Sequence, residues 1–141
     1  TEEEDPFSMT KSGRQRVAVA SVLAIKPEVL ILDEPTTGLD HLEQRSMMEL
    51  VKGLNEAGST IIFVTHHIWV VAEYAHRVYV MKEGQVLLQG TTREVFAHEE
   101  ELREAYLRPP QDVTFANRLG KTLLSLEELV YCTAGAAGGA E

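Results

Sequence analysis

Asp33 and Glu34 stand side by side after an apolar run, Val29-Leu30-Ile31-Leu32, and a Pro35-Thr36-Thr37-Gly38 turn follows them at once. Adjacent carboxylates of this kind can bind a hard cation, or can handle the proton of an attacking water. An apolar run bounded by turn residues predicts a fully buried strand of a parallel sheet. The two carboxylates then lie at its carboxyl end, the edge at which open α/β sheets hold ligands. A second apolar, β-branched run, Thr60-Ile61-Ile62-Phe63-Val64, predicts a second buried strand, and His66 and His67 follow it. A histidine at that edge can donate a hydrogen bond to negative charge that develops in a transition state.

The remaining elements must position these groups. Residues 12–25, alanine-rich and apolar on most sides, predict a buried helix that stops before Lys26-Pro27. Met47, Leu50, Val51 and Leu54 recur at helical spacing, so residues 42–56 predict an amphipathic helix, with Gly58 placed to end it. A helix of about two turns is expected over 68–75. Glu83-Gly84 predicts a hairpin between strands at 77–82 and 85–89. Residues 92–107 predict a helix broken near His98, and Pro109-Pro110 marks a boundary. A short helix is expected over 112–119, and Ser125-Leu126-Glu127-Glu128 is a capping box opening another. The Gly/Ala stretch 133–141 offers nothing to bury and is expected to be a disordered tail.

Composition narrows the function classes. The 141 residues suit one domain at most, and 44% hydrophobic with 25% charged residues is ordinary for a globular protein. A net charge of −9, with acid gathered at Glu2-Glu3-Glu4-Asp5 and Glu99-Glu100-Glu101, disfavours nucleic acid as a partner. One cysteine, Cys132, excludes an intrachain disulfide and fits a reducing cytoplasm. No apolar run approaches the roughly 18 residues of a membrane span.

Val29 to Asp40 resembles the Walker B strand and D-loop of the ATP-binding-cassette (ABC) ATPases. The resemblance implies an α/β fold of the P-loop NTPase type, a parallel sheet flanked by helices, with ATP and Mg2+ as cofactors. On it, Asp33 would hold magnesium, and Glu34 would polarise the water that attacks the γ-phosphate. Asp40 would lie in the D-loop and touch a second ATPase subunit across a homo- or heterodimer. Ile61 to His66 resembles the family's switch loop, which gives His66 the switch role; the family often has Asp where this chain has His67. Ahead of Walker B, Met9, Thr10, Lys11, Ser12 and Gly13 stand where the family has its signature loop, Leu-Ser-Gly-Gly-Gln, which grips ATP bound by the opposite subunit. Ser12 occupies a glycine position there, and Gly13 replaces the Gln.

The phosphate-binding loop, G-x-x-x-x-G-K-[S/T], is not in the sequence. Gly120-Lys121-Thr122 fails the pattern because Phe115 stands at its first glycine position, and Lys11-Ser12 fails because Asp5 and Thr10 do. The resemblance therefore implies an incomplete cassette: residues 1–108 as the carboxyl-terminal part of the ATPase domain, 109–132 as a small helical extension, and 133–141 as tail. Pro6-Phe7-Ser8, the run from Gln15 to Ala24 and the stretch from Leu107 to Leu119 are most similar to ATPases of energy-coupling factor importers, which take up vitamins or metal ions. That subtype implies a transmembrane coupling subunit as partner and a place on the cytoplasmic face of the membrane. The opposing expectation is a non-catalytic remnant or interaction module of such an ATPase. In the family's sheet the phosphate-loop strand lies between the strands matching 60–64 and 77–82, so this chain is expected to carry a gap there.

Overall fold

The computed structural model describes residues 10–25 and 27–137. The chain divides into two compact units, Thr1–Thr65 and His66–Glu141, where its length suggested one domain. The division follows from the strands. The sheets are separate pairs, β1 (Val29–Asp33) with β2 (Thr60–Val64), and β3 (Arg77–Lys82) with β4 (Gln85–Thr91). No described strand joins β2 to β3, at the position where the resemblance puts a strand this sequence lacks. The division falls inside the 1–108 stretch expected to form one part.

In the first unit, β1 and β2 are parallel and in register, from Val29 opposite Thr60 to Asp33 opposite Val64. The connection between them is α2 (His41–Glu56), the crossover helix that parallel strands require. Asp40 caps α2 with a complete capping box: its Oδ1 accepts from the Glu43 N–H at 2.8 Å, and Glu43 Oε2 accepts from the Asp40 N–H at 3.2 Å. At the other end Gly58 takes φ 105°, and the N–H groups of Gly58 and Ser59 donate to Asn55 and Leu54. That pair of bonds is a Schellman stop, and its left-handed residue favours glycine. The buried face of α2 is Met47, Met48 and Val51. Leu50, expected in that stripe, is exposed, and Met48 takes its place.

The strands are not fully buried as the apolar runs suggested. Leu30 is buried, but Val29, Ile31, Ile62 and Val64 are 52%, 68%, 49% and 55% exposed on the alternate face. A two-stranded sheet with one crossover helix has cover for one face only. Helix α1 (Lys11–Leu23) departs from expectation for the same reason. Val19 is buried with Leu39 and Met47, while Val17 and Val22 are exposed.

The second unit opens with α3 (Ile68–Tyr74) and the β3–β4 hairpin, which carries a bulge between Val80 and Met81. Two short helices follow, α4 (Thr92–Ala97) and α5 (Glu99–Glu104), with the break at His98 where it was expected. Next come α6 (Gln111–Arg118) and α7 (Leu126–Ala137). Ala72, Val80, Val95, Phe96, Leu102 and Val113 form the unit's core. The Ser125 cap holds, its Oγ accepting from the Glu128 N–H at 3.2 Å. Helix α7 runs on to Ala137, into the stretch expected to be tail, and alanine is the best helix former. Gly120, suspected of nothing but a false nucleotide motif, takes φ 77°, and the N–H groups of Gly120 and Lys121 close a second Schellman stop on α6.

Candidate functional site

The first unit builds an acidic loop at the carboxyl end of its sheet. Hydrogen bonding continues one residue past β1, because the Glu34 N–H donates to the Val64 carbonyl at 2.9 Å. Glu34 then leaves the extended conformation with φ 47°, a left-handed backbone that costs a non-glycine residue about 1–2 kcal/mol. Such outliers persist where surrounding structure over-determines them, commonly at functional sites. Here the Val64 bond acts on one side and a turn on the other. The Thr37 N–H donates to the Glu34 carbonyl at 3.1 Å, and the Thr37 hydroxyl donates to Glu34 Oε2 at 3.0 Å.

The loop beyond is braced from α2. Gln44 Nε2 donates to the carbonyls of Thr36 and Leu39, at 3.3 and 3.1 Å. Thr36 and Leu39 are buried, while Asp33, Thr37 and Asp40 are exposed and Glu34 is half-buried. The segment therefore has its backbone pinned, with Asp33 and Asp40 exposed to solvent. Neither Thr37 nor Gln44 was singled out from sequence. Thr37 reads as an ordinary turn residue, and Gln44 as a surface position of an amphipathic helix.

Asp33 carries the hard oxygen donors that a magnesium ion prefers, and its carboxylate, unlike its backbone in the β1–β2 pair, has no hydrogen bond or ion pair among the described residues. Its carboxylate is thus not committed to a structural partner and fits a cation that keeps several waters. Asp40 differs. One of its oxygens caps α2, so any contact with another subunit would be made by a side chain already held in place.

His66 opens the second unit, two residues after Val64 in the chain, and is exposed. Its ring lies 4.4 Å from that of His67, centroid to centroid. His67 is the N-cap of α3, without a side-chain capping bond, and its carbonyl accepts from the Val70 N–H at 3.0 Å. The two histidines are therefore inequivalent: the backbone of His67 starts a helix, and His66 belongs to the connection before it.

Of the stretch in the signature position, Met9 lies outside the described residues. Thr10 is the N-cap of α1, with its Oγ1 accepting from the Gly13 N–H at 3.2 Å. Lys11, Ser12 and Gly13 form the first helical turn. Ser12, at a position where the family has glycine, thus has helical backbone.

Comparison with known proteins places relatives beside this chain. A family profile described as "AAA domain, putative AbiEii toxin, Type IV TA system" matches residues 12–72. The "Putative ABC transporter ATP-binding protein" of Caldanaerobacter subterraneus subsp. tengcongensis is 61% identical over 132 residues, 94% of this chain and 23% of that protein. An energy-coupling factor transporter ATP-binding protein of Bacillus cereus, EcfA2, is 42% identical over 135 residues, 89% of this chain and 46% of that protein. Among solved structures, cbiO1 of Clostridium perfringens, described as part of the ABC transporter complex cbiONQ, superposes with a TM-score of 0.60 at 46% identity. The match covers 76% of this chain and 43% of that one. The chain thus spans less than half the length of these relatives. By sequence and by fold, it belongs to the ABC ATPase family.

Proposed function

We propose that this chain supplies the hydrolytic carboxylates of an ATP-hydrolysing subunit that powers an energy-coupling factor importer of vitamins or metal ions. The observation that carries the reading is Glu34, held in a left-handed conformation at the carboxyl end of β1 by the Val64 carbonyl and the 34–37 turn. In this reading Glu34 takes the proton of the water that attacks the γ-phosphate, and Asp33 ligates magnesium. The ion, when bound, neutralises charge on the phosphates. His66 donates to the charge that develops on the transferred group, and His67 does not. Thr10 to Gly13, with Met9, present the amino end of α1 to ATP bound by a second ATPase subunit, and the Asp40 loop meets that subunit. The 42% identity to EcfA2 and the likeness to cbiO1 support the importer class, a transmembrane coupling subunit as partner, and a peripheral place on the cytoplasmic face. No described helix is long and apolar enough to cross a membrane. We also keep the division 1–108, 109–132 and 133–141 as a functional one, with the extension beyond Arg108 separate from the nucleotide chemistry.

No residue of the chain supplies the lysine and backbone cradle for the β- and γ-phosphates, so the chain alone is expected to turn over no ATP. That same lack supports a second reading, a remnant that has lost its chemistry. One experiment separates the two. The chain is complemented with the phosphate-binding half of a relative, and ATP binding and hydrolysis are measured for the unsubstituted protein and for Glu34→Gln. Magnesium-dependent turnover, lost in Glu34→Gln with ATP binding retained, bears out the first reading. Binding without turnover in the unsubstituted complex bears out the second.

A further inference from the structure

We infer that Thr37 is a positioning residue that aims the Glu34 carboxylate at the attacking water. The inference deepens the reading of Glu34 as proton acceptor and rests on it. A glutamate reaches its carboxylate through three rotatable bonds, and fixing such a side chain costs up to about 1.5–2 kcal/mol of rotamer freedom. A general base must nevertheless sit within hydrogen-bond reach of the proton it takes. The tether in this site is the Thr37 hydroxyl, 3.0 Å from Glu34 Oε2.

Three features make Thr37 suited to the task. Its hydroxyl cannot drift relative to Glu34, because the Thr37 N–H donates to the Glu34 carbonyl at 3.1 Å and closes the turn between them. Its β-branched side chain is stiff about the first torsion, so the fixed backbone also fixes the direction of the hydroxyl. The neighbouring threonine cannot substitute for it, because Thr36 is wholly buried whereas Thr37 is exposed beside the carboxylate. An ionised carboxylate has about four acceptor sites, and the Thr37 hydrogen bond takes up one of them. The left-handed Glu34 backbone completes the logic. It turns the chain back on itself at once and places the hydroxyl three residues on against the carboxylate.

The test uses the chain complemented with the phosphate-binding half of a relative, in which turnover can be measured. Thr37→Val, which is nearly isosteric and lacks the hydroxyl, is compared with Thr37→Ser, which keeps it. The expected result is a kcat lowered roughly tenfold in Thr37→Val, since small misplacements of a reacting group cost one to two orders of magnitude. KM for ATP stays unchanged, and Thr37→Ser, which keeps the donor but loses the stiffening β-branch, recovers most but not all of kcat. On a Glu34→Gln background, Thr37→Val adds no further loss. Equal losses in the valine and serine variants, a change confined to KM, or full additivity with Glu34→Gln would each overturn the positioning role. Circular dichroism of each variant separates these results from misfolding, and Thr37→Ser remains informative if Thr37→Val does not fold. If Glu34→Gln keeps its turnover, the general-base reading itself falls. If only Glu34→Gln loses turnover, that reading stands and the role of Thr37 is refuted.

Discussion

At the residue scale, the site is a contrast between groups already engaged and groups left to solvent. Glu34 is held through its N–H, its carbonyl and one carboxylate oxygen, whereas Asp33 is engaged by none of the described side chains. The histidines differ in their place in the chain, His67 starting α3 and His66 preceding it. In the complemented protein, His66→Ala is therefore expected to slow hydrolysis far more than His67→Ala. Losing one such donor costs on the order of 3 kcal/mol in the transition state. Steady-state rates of the two variants check the assignment, and equal losses would refute it. Much of this scale was legible in the sequence, because an Asp-Glu pair after an apolar run can be located by pattern alone. The Thr37 hydroxyl and the Gln44 brace were not, since both depend on how a loop folds over a helix end, and residue type does not encode that.

At the element scale, the strands β1 and β2 were legible to the residue, because β-branched runs bounded by turn residues have sharp ends. Burial was not. Leu50 and Met48 exchanged roles because helical spacing defines a stripe only to within a residue or so. The short helices of the second unit show how local chemistry sets stops. Helix α5 ends in a Schellman motif whose left-handed position is Tyr106, with φ 60° and 93% of its surface exposed. A side chain there is strained and packs on little, so Tyr106→Gly is expected to raise stability by about 1 kcal/mol. Thermal melts would show a higher midpoint, and a lower one would mean that the ring has a partner.

Helix α7 is tied to α4 by Arg93, whose guanidinium meets both Glu128 oxygens, at 2.9 and 3.1 Å, and donates to the Thr122 carbonyl. The Arg93 hydrogen bond, and then the Leu124 N–H, hold the Glu128 carboxyl below its ordinary value of 4.5. The Thr91 backbone N–H, then its hydroxyl, do the same for Glu94 at the start of α4. A carboxyl lowered in the folded state contributes stability that is complete above its unfolded value and is lost as pH falls through the folded one. Glu128→Gln is therefore expected to cost little, about 0.5 kcal/mol, at pH 7 because the pair is exposed. It should cost less still at pH 3, below the ordinary carboxyl value, where the unfolded state binds the proton more readily and part of the pair's contribution is lost. Melts at the two pH values decide this, and a larger penalty at pH 3 would contradict it.

At the scale of the whole molecule, the feature that matters is the uncovered β1–β2 face. Val29, Ile31, Ile62 and Val64 place β-branched apolar surface in water, and each strand has an outer edge unpaired among the described residues. Parallel sheets are ordinarily covered on both faces, and open edges template pairing with other chains. The isolated chain is accordingly expected to self-associate, and adding the phosphate-binding half of a relative should suppress this. Light scattering and calorimetry would decide the matter. A monodisperse monomer with a sharp melt would show that the two units close their own cores. The sequence patterns announced parallel strands but could not reveal one-sided cover, because an apolar run looks the same whether or not its neighbours are supplied.

The Gln44 brace has a mechanical consequence. Through it the carbonyls of Thr36 and Leu39 are fastened to α2, and the Asp40–Glu43 capping box fastens the next residue as well. The loop therefore has no stiffness of its own to lose: it is carried by the helix as a rigid bracket. Pro35 has φ locked by its ring, so the bracket joins β1 stiffly through Glu34, whose own backbone is held by the Val64 carbonyl and the 34–37 turn. A torque applied anywhere along α2 is delivered to the residue that bears the carboxylate.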